Sequence, residues 1–249
     1  MQKEYIRKKI DNMARRAERN NSPQMTDFLD PAEQAAAEGY LKKRHKDLIT
    51  VFFGGFSEAE RKRLLLLPQG YHVQSSDFEM VVLEAVSEES RGKITHRDIL
   101  GALMGSGIRR EKTGDIIMLE NGAAIIIDTK IAGFLETNFP LIRNVHFSVR
   151  VVNPGEYELP EVAFTEKMIM VPSLRLDSVI QKACHLSRGD AQKFIESGKV
   201  KVDHVVTEKS DHIVNESSVI SIRTKGRIVL QEILGKTKKD NFRVLVKMF

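Results

Sequence analysis

Between residues 175 and 201 the chain sets Arg175, Ser187, Arg188, Lys193, Lys199 and Lys201 among apolar positions, a choice of side chains suited to gripping a polyanion. An arginine fork holds phosphate through paired N–H donors, and a lysine supplies a point charge. Arg223, Lys225 and Arg227 extend the same chemistry downstream. A second basic cluster, Arg109, Arg110 and Lys112, follows Gly105-Ser106-Gly107. That loop could cradle an anion, but it lacks the Walker lysine spacing and the dinucleotide fingerprint. Catalytic chemistry is far thinner. The seven histidines are scattered, none at metal-ligand spacing from another histidine or an acidic cluster. Cys184 stands alone, and neighbouring side chains on a helix diverge, so His185 is not expected to activate it. Neither a metal nor a cofactor is expected.

The residues between the cations predict the elements that must hold them. Leu176, Val179, Ile180 and Ala183 recur at i, i+3, i+4 and i+7, one apolar stripe of a short helix. Ser187 suits an N-cap, with Asp190 as its capping-box partner. Ala191, Phe194 and Ile195 then form the buried face of a second helix, which Gly198 stops. Val200 and Val202 alternate with Lys199 and Lys201, giving a strand with one oily and one cationic side. Asp203-His204 is the expected turn before Val205-Val206, and residues 219–223 close the unit as another strand. Arg175 and Arg188 both fall in the first turns of their predicted helices, where a cation costs about 0.3–1 kcal/mol against the helix dipole. Asp177 and Asp190 would offset part of that cost, and a phosphate at the helix N-terminus would offset more.

Arg175-Leu176-Asp177, Ser187-Arg188-x-x-Ala191 and Phe194-Ile195-x-x-Gly198-x-Val200-x-Val202 together resemble the alpha-L RNA-binding motif, first defined in a ribosomal small-subunit protein. The Asn-Gly turn of that pattern stands here as Asp203-His204, and its later Gly-Asp as Ser217-Ser218. Upstream, the run from His96 to Gly101 and the run from Gly107 to Ile116 resemble the central region of the bacterial YlmH family, whose members carry an alpha-L domain at the C-terminus. The resemblance implies a cytoplasmic bacterial RNA-binding protein. It further implies partners in the large ribosomal subunit and tRNA-bearing nascent-chain complexes, and a role in translation quality control.

The fold class expected is α+β, with a small α/β N-terminal domain over 1–74, a ferredoxin-like (split βαβ) central domain over 75–165, and an alpha-L RNA-binding domain with a C-terminal hairpin over 173–249. In the first, residues 2–19 read as an amphipathic helix and Pro31 opens another, capped by Asp30 and running to about Arg44. Residues 48–53 read as a strand, Gly54-Gly55 as a turn, and Ser57 as the cap of a helix reaching Leu67 before Pro68 ends it. In the second, strand 78–86, helix 95–104, strands 115–119 and 123–128 joined through Asn121-Gly122, helix 131–138 and strand 145–152 give the β-α-β-β-α-β order. The aromatic-rich signature of base-stacking RNA modules is not evident in those strands. A loop over 154–160 and Pro172 lead into the basic domain. Its final hairpin, 228–233 with 243–249, carries Lys236, Lys238 and Lys239 in the loop.

Composition narrows the class further. A chain of 249 residues, 41% hydrophobic and 29% charged, has the length for two or three cores and the balance of an ordinary globular protein. One cysteine rules out an internal disulfide and a thiolate zinc cage, and fits a reducing cytoplasm. The N-terminal segment mixes charges and has no apolar core of a signal peptide, and the longest apolar runs, 64–67 and 123–127, are too short to span a membrane. Net charge is +5, yet residues 174–249 hold 15 Lys and Arg against 9 Asp and Glu, which leaves 24 against 25 for residues 1–173. The positive excess therefore belongs to the C-terminal part, as expected for a polyanion-binding module attached to a near-neutral body. The function expected is non-catalytic binding to structured ribosomal RNA or tRNA, through phosphate and sugar more than base edges. Two other readings stand beside it. One is an RNA-modifying enzyme of pseudouridine synthase or methyltransferase type, for which no catalytic aspartate motif or glycine-rich cofactor loop is found. The other is a docking factor whose basic domain meets an acidic protein.

Overall fold

A computed structural model describes residues 2–89, 94–158, 164–203, 205–223 and 225–249, with side chains from residue 4. Two compact units emerge, Met1–Pro160 and Glu161–Phe249.

The first unit opens with α1 (Gln2–Asn20), β1 (Gln24–Met25), α2 (Pro31–Arg44), β2 (Ile49–Phe53) and β3 (Arg63–Leu67). Helix α1 buries Ile6, Ile10, Ala14 and Ala17, the stripe its sequence prescribes. Asp30 and Glu33 close a full capping box at the start of α2, with Pro31 at the first helical position. The strands form an antiparallel sheet in the order β1-β3-β2. The helix expected from Ser57 to Leu67 is absent, and residues 63–67 form the central strand of this sheet instead. Leu64 and Leu66 face one core, with α1 and α2, while Leu65 and Leu67 face another. A run of leucines with no polar side suits a strand covered on both faces better than an amphipathic helix.

Next come β4 (Met80–Val86), α3 (His96–Gly105), β5 (Thr113–Leu119), β6 (Gly122–Asp128), α4 (Thr129–Thr137) and β7 (Ser148–Val152). The sheet order β5-β6-β4-β7, antiparallel throughout, is the ferredoxin-like arrangement that the sequence order predicts. Thr95 and Asp98 cap α3 reciprocally, also as expected. Gly122 does more than shape a turn, because a Cβ there would lie 2.0 Å from the Ala85 carbonyl on the neighbouring strand.

One face of this sheet carries α3 and α4 over Leu83, Ile125 and Ile127. The other face, through Val82, Ala124 and Ile126, packs on Phe28, Leu65 and Leu67 of the N-terminal part. Polar contacts fasten the same seam. The buried Arg63 donates to the carbonyls of Phe78 and Glu79, both at 2.8 Å, and meets Asp128 at 2.5 Å. Asp128 also receives Lys112 at 3.0 Å and caps α4 through the Lys130 N–H. The two pieces expected over 1–74 and 75–165 therefore share a core and an ion network.

The second unit comprises β8 (Thr165–Val171), α5 (Leu176–Ala183), α6 (Arg188–Glu196), β9 (Val200–Val202), β10 (Val205–Val206), β11 (Val219–Ile222), β12 (Gly226–Lys236) and β13 (Phe242–Met248). Its sheet runs β10-β9-β11-β12-β13-β8, each pair antiparallel. Helices α5 and α6 close over one face, and Val179, Ile180, Ile195, Val200, Ile220, Leu230, Val244 and Val246 fill the space between. Strand β8 precedes Pro172, the expected domain boundary, yet all seven of its residues pair with β13. Its alternation, Ile169 and Val171 inward against Met168 and Met170 outward, is the signal that places it there. Among the described residues no helix is long and apolar enough to cross a membrane.

Candidate nucleic-acid interface

The basic unit is organised around a carboxylate. Asp177, in the first turn of α5, is completely buried, with 0% of its side chain exposed. Arg175 is the N-cap residue of α5 rather than a first-turn residue, and it closes its guanidinium fork on that carboxylate, Nε at 3.1 Å and Nη2 at 2.9 Å. The Ser178 N–H donates to it at 2.8 Å, and Arg188 Nε at the start of α6 stands 4.0 Å away. Burial alone would push the Asp177 pKa up. The Arg175 fork, the Ser178 amide and Arg188 outweigh burial and hold it below the usual aspartate value. Asp177 thus ties the beginnings of the two helices together.

The phosphate cradle anticipated at the N-terminus of α5 is not open. The N–H groups of Leu176 and Asp177 donate to the carbonyls of His212 and Ser210, at 2.8 and 3.1 Å. The chain satisfies its own helix start, and Arg175 serves the fold first. Ser187 is similarly occupied, accepting the Asp190 N–H at 3.1 Å and donating its hydroxyl to the Asp190 carboxylate at 2.7 Å. Arg188, by contrast, keeps 68% of its side chain in solvent.

The remaining cations converge at the far end of α6. Gly198, at φ 67°, donates to the Ile195 carbonyl, and Lys199 N–H donates to that of Phe194. This paired closure is a Schellman turn, and it needs a residue free to adopt positive φ. The turn swings Lys199 back over the helix, its Nζ 5.7 Å from the Phe194 ring centre. The Lys199 carbonyl accepts the Arg223 N–H at 2.9 Å, which pins the loop carrying Arg223 and Lys225 alongside. Lys193, Lys199 and Lys225 then line one shallow depression with Phe194. Lys201 lies on the outward face of the sheet, opposite Ser221, which in turn stands opposite Arg227. Arg227 is half-buried and lays its guanidinium against the Phe249 ring at 4.5 Å.

Two departures from the alpha-L pattern keep its turns by other means. Asp203 takes φ 47° and accepts the Val219 N–H at 2.8 Å, so a short polar side chain supports the left-handed position. Ser217 takes φ 67° at the place of the family's glycine. His204, the other half of the expected turn, lies outside the described residues.

The upstream cluster has mostly internal employment. Arg110 donates to the carbonyls of Thr113 and Gly114 at 2.7 and 3.0 Å, and burial together with the nearby Arg61 lowers its pKa to about 10. Lys112 bridges Asp27 and Asp128. Arg109 is exposed, paired with Glu111 at 2.9 Å. An RNA contact from this cluster would therefore rest on Arg109. In the central sheet the N-terminal core covers Val82, Ala124 and Ile126 on one side, and helices cover Leu83, Ile125 and Ile127 on the other. Cys184 is half-buried, and burial pushes its thiol pKa up, the opposite of an activated nucleophile.

A basic helix pair on a strand, built around a buried aspartate, defines an RNA-binding module of the alpha-L class. Three family models match successive stretches of the chain: "YlmH, N-terminal" over residues 2–71, "Putative RNA-binding domain in YlmH" over 73–156 and "S4 domain" over 174–220. The chain is 36% identical over 220 residues to the ribosome-associated protein quality control protein P2 of Bacillus subtilis (strain 168), spanning 88% of this chain and 85% of that one. It is also similar to a solved structure, the cell division protein ylmH from Streptococcus pneumoniae, with a TM-score of 0.52 and 25% identity over 61% of this chain and 91% of that chain. The chain belongs to the RNA-binding YlmH family.

Proposed function

We propose that this protein is a non-catalytic factor that docks on structured ribosomal RNA or tRNA at the large ribosomal subunit, in the quality control of stalled nascent chains. The observation that carries the reading is the convergence of Lys193, Lys199 and Lys225 at the end of α6, the helix whose start displays Arg188. The name of the Bacillus subtilis relative, a ribosome-associated quality control protein, supports the setting. Arg188, Lys193, Lys199, Lys201, Arg223 and Lys225 are exposed and contact the RNA backbone. Arg175 and Ser187 shape that surface from partly engaged positions, and Arg109 adds a secondary contact on the other unit.

Anisotropy titrations of a tRNA and a ribosomal RNA hairpin over a range of salt test this reading. Each phosphate deprived of its cation should flatten the log–log salt slope by about one. Arg188→Glu with Lys199→Glu is expected to weaken both titrations and flatten the slope. Unchanged affinity and slope in that folded variant would reject the assignment.

A further inference from the structure

On the outward face of the C-terminal sheet, four side chains form a run in which two aromatic rings lie between two cations. Arg227 sits over the Phe249 ring at 4.5 Å, and Lys247 Nζ over the Phe164 ring at 4.4 Å. The two rings are 5.8 Å apart, tilted at 45°. Phe164 remains 46% exposed and Phe249 38%. Two neighbouring phenylalanines left this open are costly in water unless something covers them. The row of facing residues Lys201, Ser221 and Arg227 joins this cluster directly to the basic strand β9. Arg227 and Phe249 also exchange backbone hydrogen bonds, at 3.3 and 2.9 Å, so the ring is held at the sheet margin. Glu166 lies 3.8 Å from Lys247 and neutralises it only in part.

We infer that Phe164 and Phe249, flanked by Lys247 and Arg227, form a stacking platform for unpaired bases of single-stranded RNA, distinct from the helix-end surface that meets structured RNA. The choice of occupant follows from the chemistry. Every base has a π-face to lay on a ring, and the backbone that links bases needs cations beside those rings. An apolar peptide would want the rings without the charges, and an acidic one the charges without the rings. The inference rests on the RNA-binding reading above, and it adds a second, separable mode of contact.

Separability decides the experiment. A 12-nucleotide oligoadenylate probes the platform, and a ribosomal RNA hairpin probes the helix-end surface. Phe164→Ala with Phe249→Ala should weaken oligoadenylate binding about tenfold or more while leaving the hairpin titration unchanged. Phe164→Tyr with Phe249→Tyr should restore it, since tyrosine keeps the stacking face. The chain has no tryptophan, so Phe164→Trp supplies a single emission signal that base stacking should quench. Oligoadenylate binding that is indifferent to the double alanine change, or that leaves the emission of the Phe164→Trp variant unquenched, would overturn the platform. Equal losses on both probes would overturn its separateness. Failure of Arg188→Glu/Lys199→Glu to affect the hairpin would instead strike the underlying functional reading, so the two failures are told apart.

Discussion

Arg175 closes its fork on the buried Asp177, whereas Arg188 leaves most of its side chain in solvent, so charge reversal at the two positions has different consequences. Arg188→Glu is expected to lower the thermal midpoint less than Arg175→Glu does and to weaken RNA binding. Arg175→Glu sets a second carboxylate against a buried one and should lower the midpoint of the C-terminal unit before any RNA is added. Thermal melts of the two single variants separate the roles. Acid exposes the same design. The Asp177 pKa is held below its ordinary value of 3.8, so the stability it contributes is complete above that value and is lost as pH falls through the folded pKa. Asp177→Asn should start less stable at neutral pH and lose this part of the acid dependence, which a melt series from pH 6 to pH 2 would register. The sequence reads the two arginines as an anion-binding pair, whereas the structure closes Arg175 on Asp177. The buried position of Asp177, and the His212 and Ser210 carbonyls that close α5, are not legible there, because the closing segment is some 35 residues downstream and no local pattern announces it.

At the scale of elements, the α6 turn shows how one backbone conformation positions a binding side chain. Gly198→Ala would meet only ordinary contacts, the nearest being Glu208 at 3.6 Å, so its cost is conformational. A left-handed alanine costs about 1–2 kcal/mol. The variant should lose about that much in denaturant unfolding and also lose RNA affinity, because Lys199 leaves its place beside Phe194. In the other unit, His45 clasps α1 to the end of α2, with Nδ1 2.7 Å from Glu18 and Nε2 3.1 Å from Asp11. Burial alone would lower the His45 pKa, but the two carboxylates prevail and raise it above its ordinary 6.5. This contribution is therefore full below pH 6.5 and disappears as pH rises through the folded pKa. Helix α1 should loosen in hydrogen exchange, corrected for intrinsic rate, between pH 6 and pH 9, and His45→Gln should remove the trend. Capping boxes and periodic stripes make most helices readable from local sequence. Strand β3 reads as helix because burial on both faces erases the alternation that marks a strand, and β8 escapes notice because its partner β13 lies more than seventy residues away.

For the whole molecule, the division of charge matches the division of the fold. The near-neutral unit Met1–Pro160 turns cations such as Arg63, Arg110 and Lys112 inward, to fasten two sheets, while the basic unit Glu161–Phe249 turns Arg188, Lys193, Lys199 and Lys201 outward. Sequence alone counts charges but does not reveal which are spent inside, so Arg110 and Lys112 stand there as a possible secondary RNA contact. The ferredoxin-like order is readable, but the packing of Phe28, Leu65 and Leu67 on its second face is not, because those residues come from the preceding N-terminal part. The proposed RNA partner is carried by the large ribosomal subunit and is met by the surface displaying Arg188 and Lys199. Sedimentation with purified large and small subunits at rising salt, comparing the parent with Arg188→Glu/Lys199→Glu, tests this most directly. The expected result is salt-sensitive co-migration with the large subunit that the variant loses while staying folded. Co-migration with the small subunit alone, or equal binding by the variant, would contradict it.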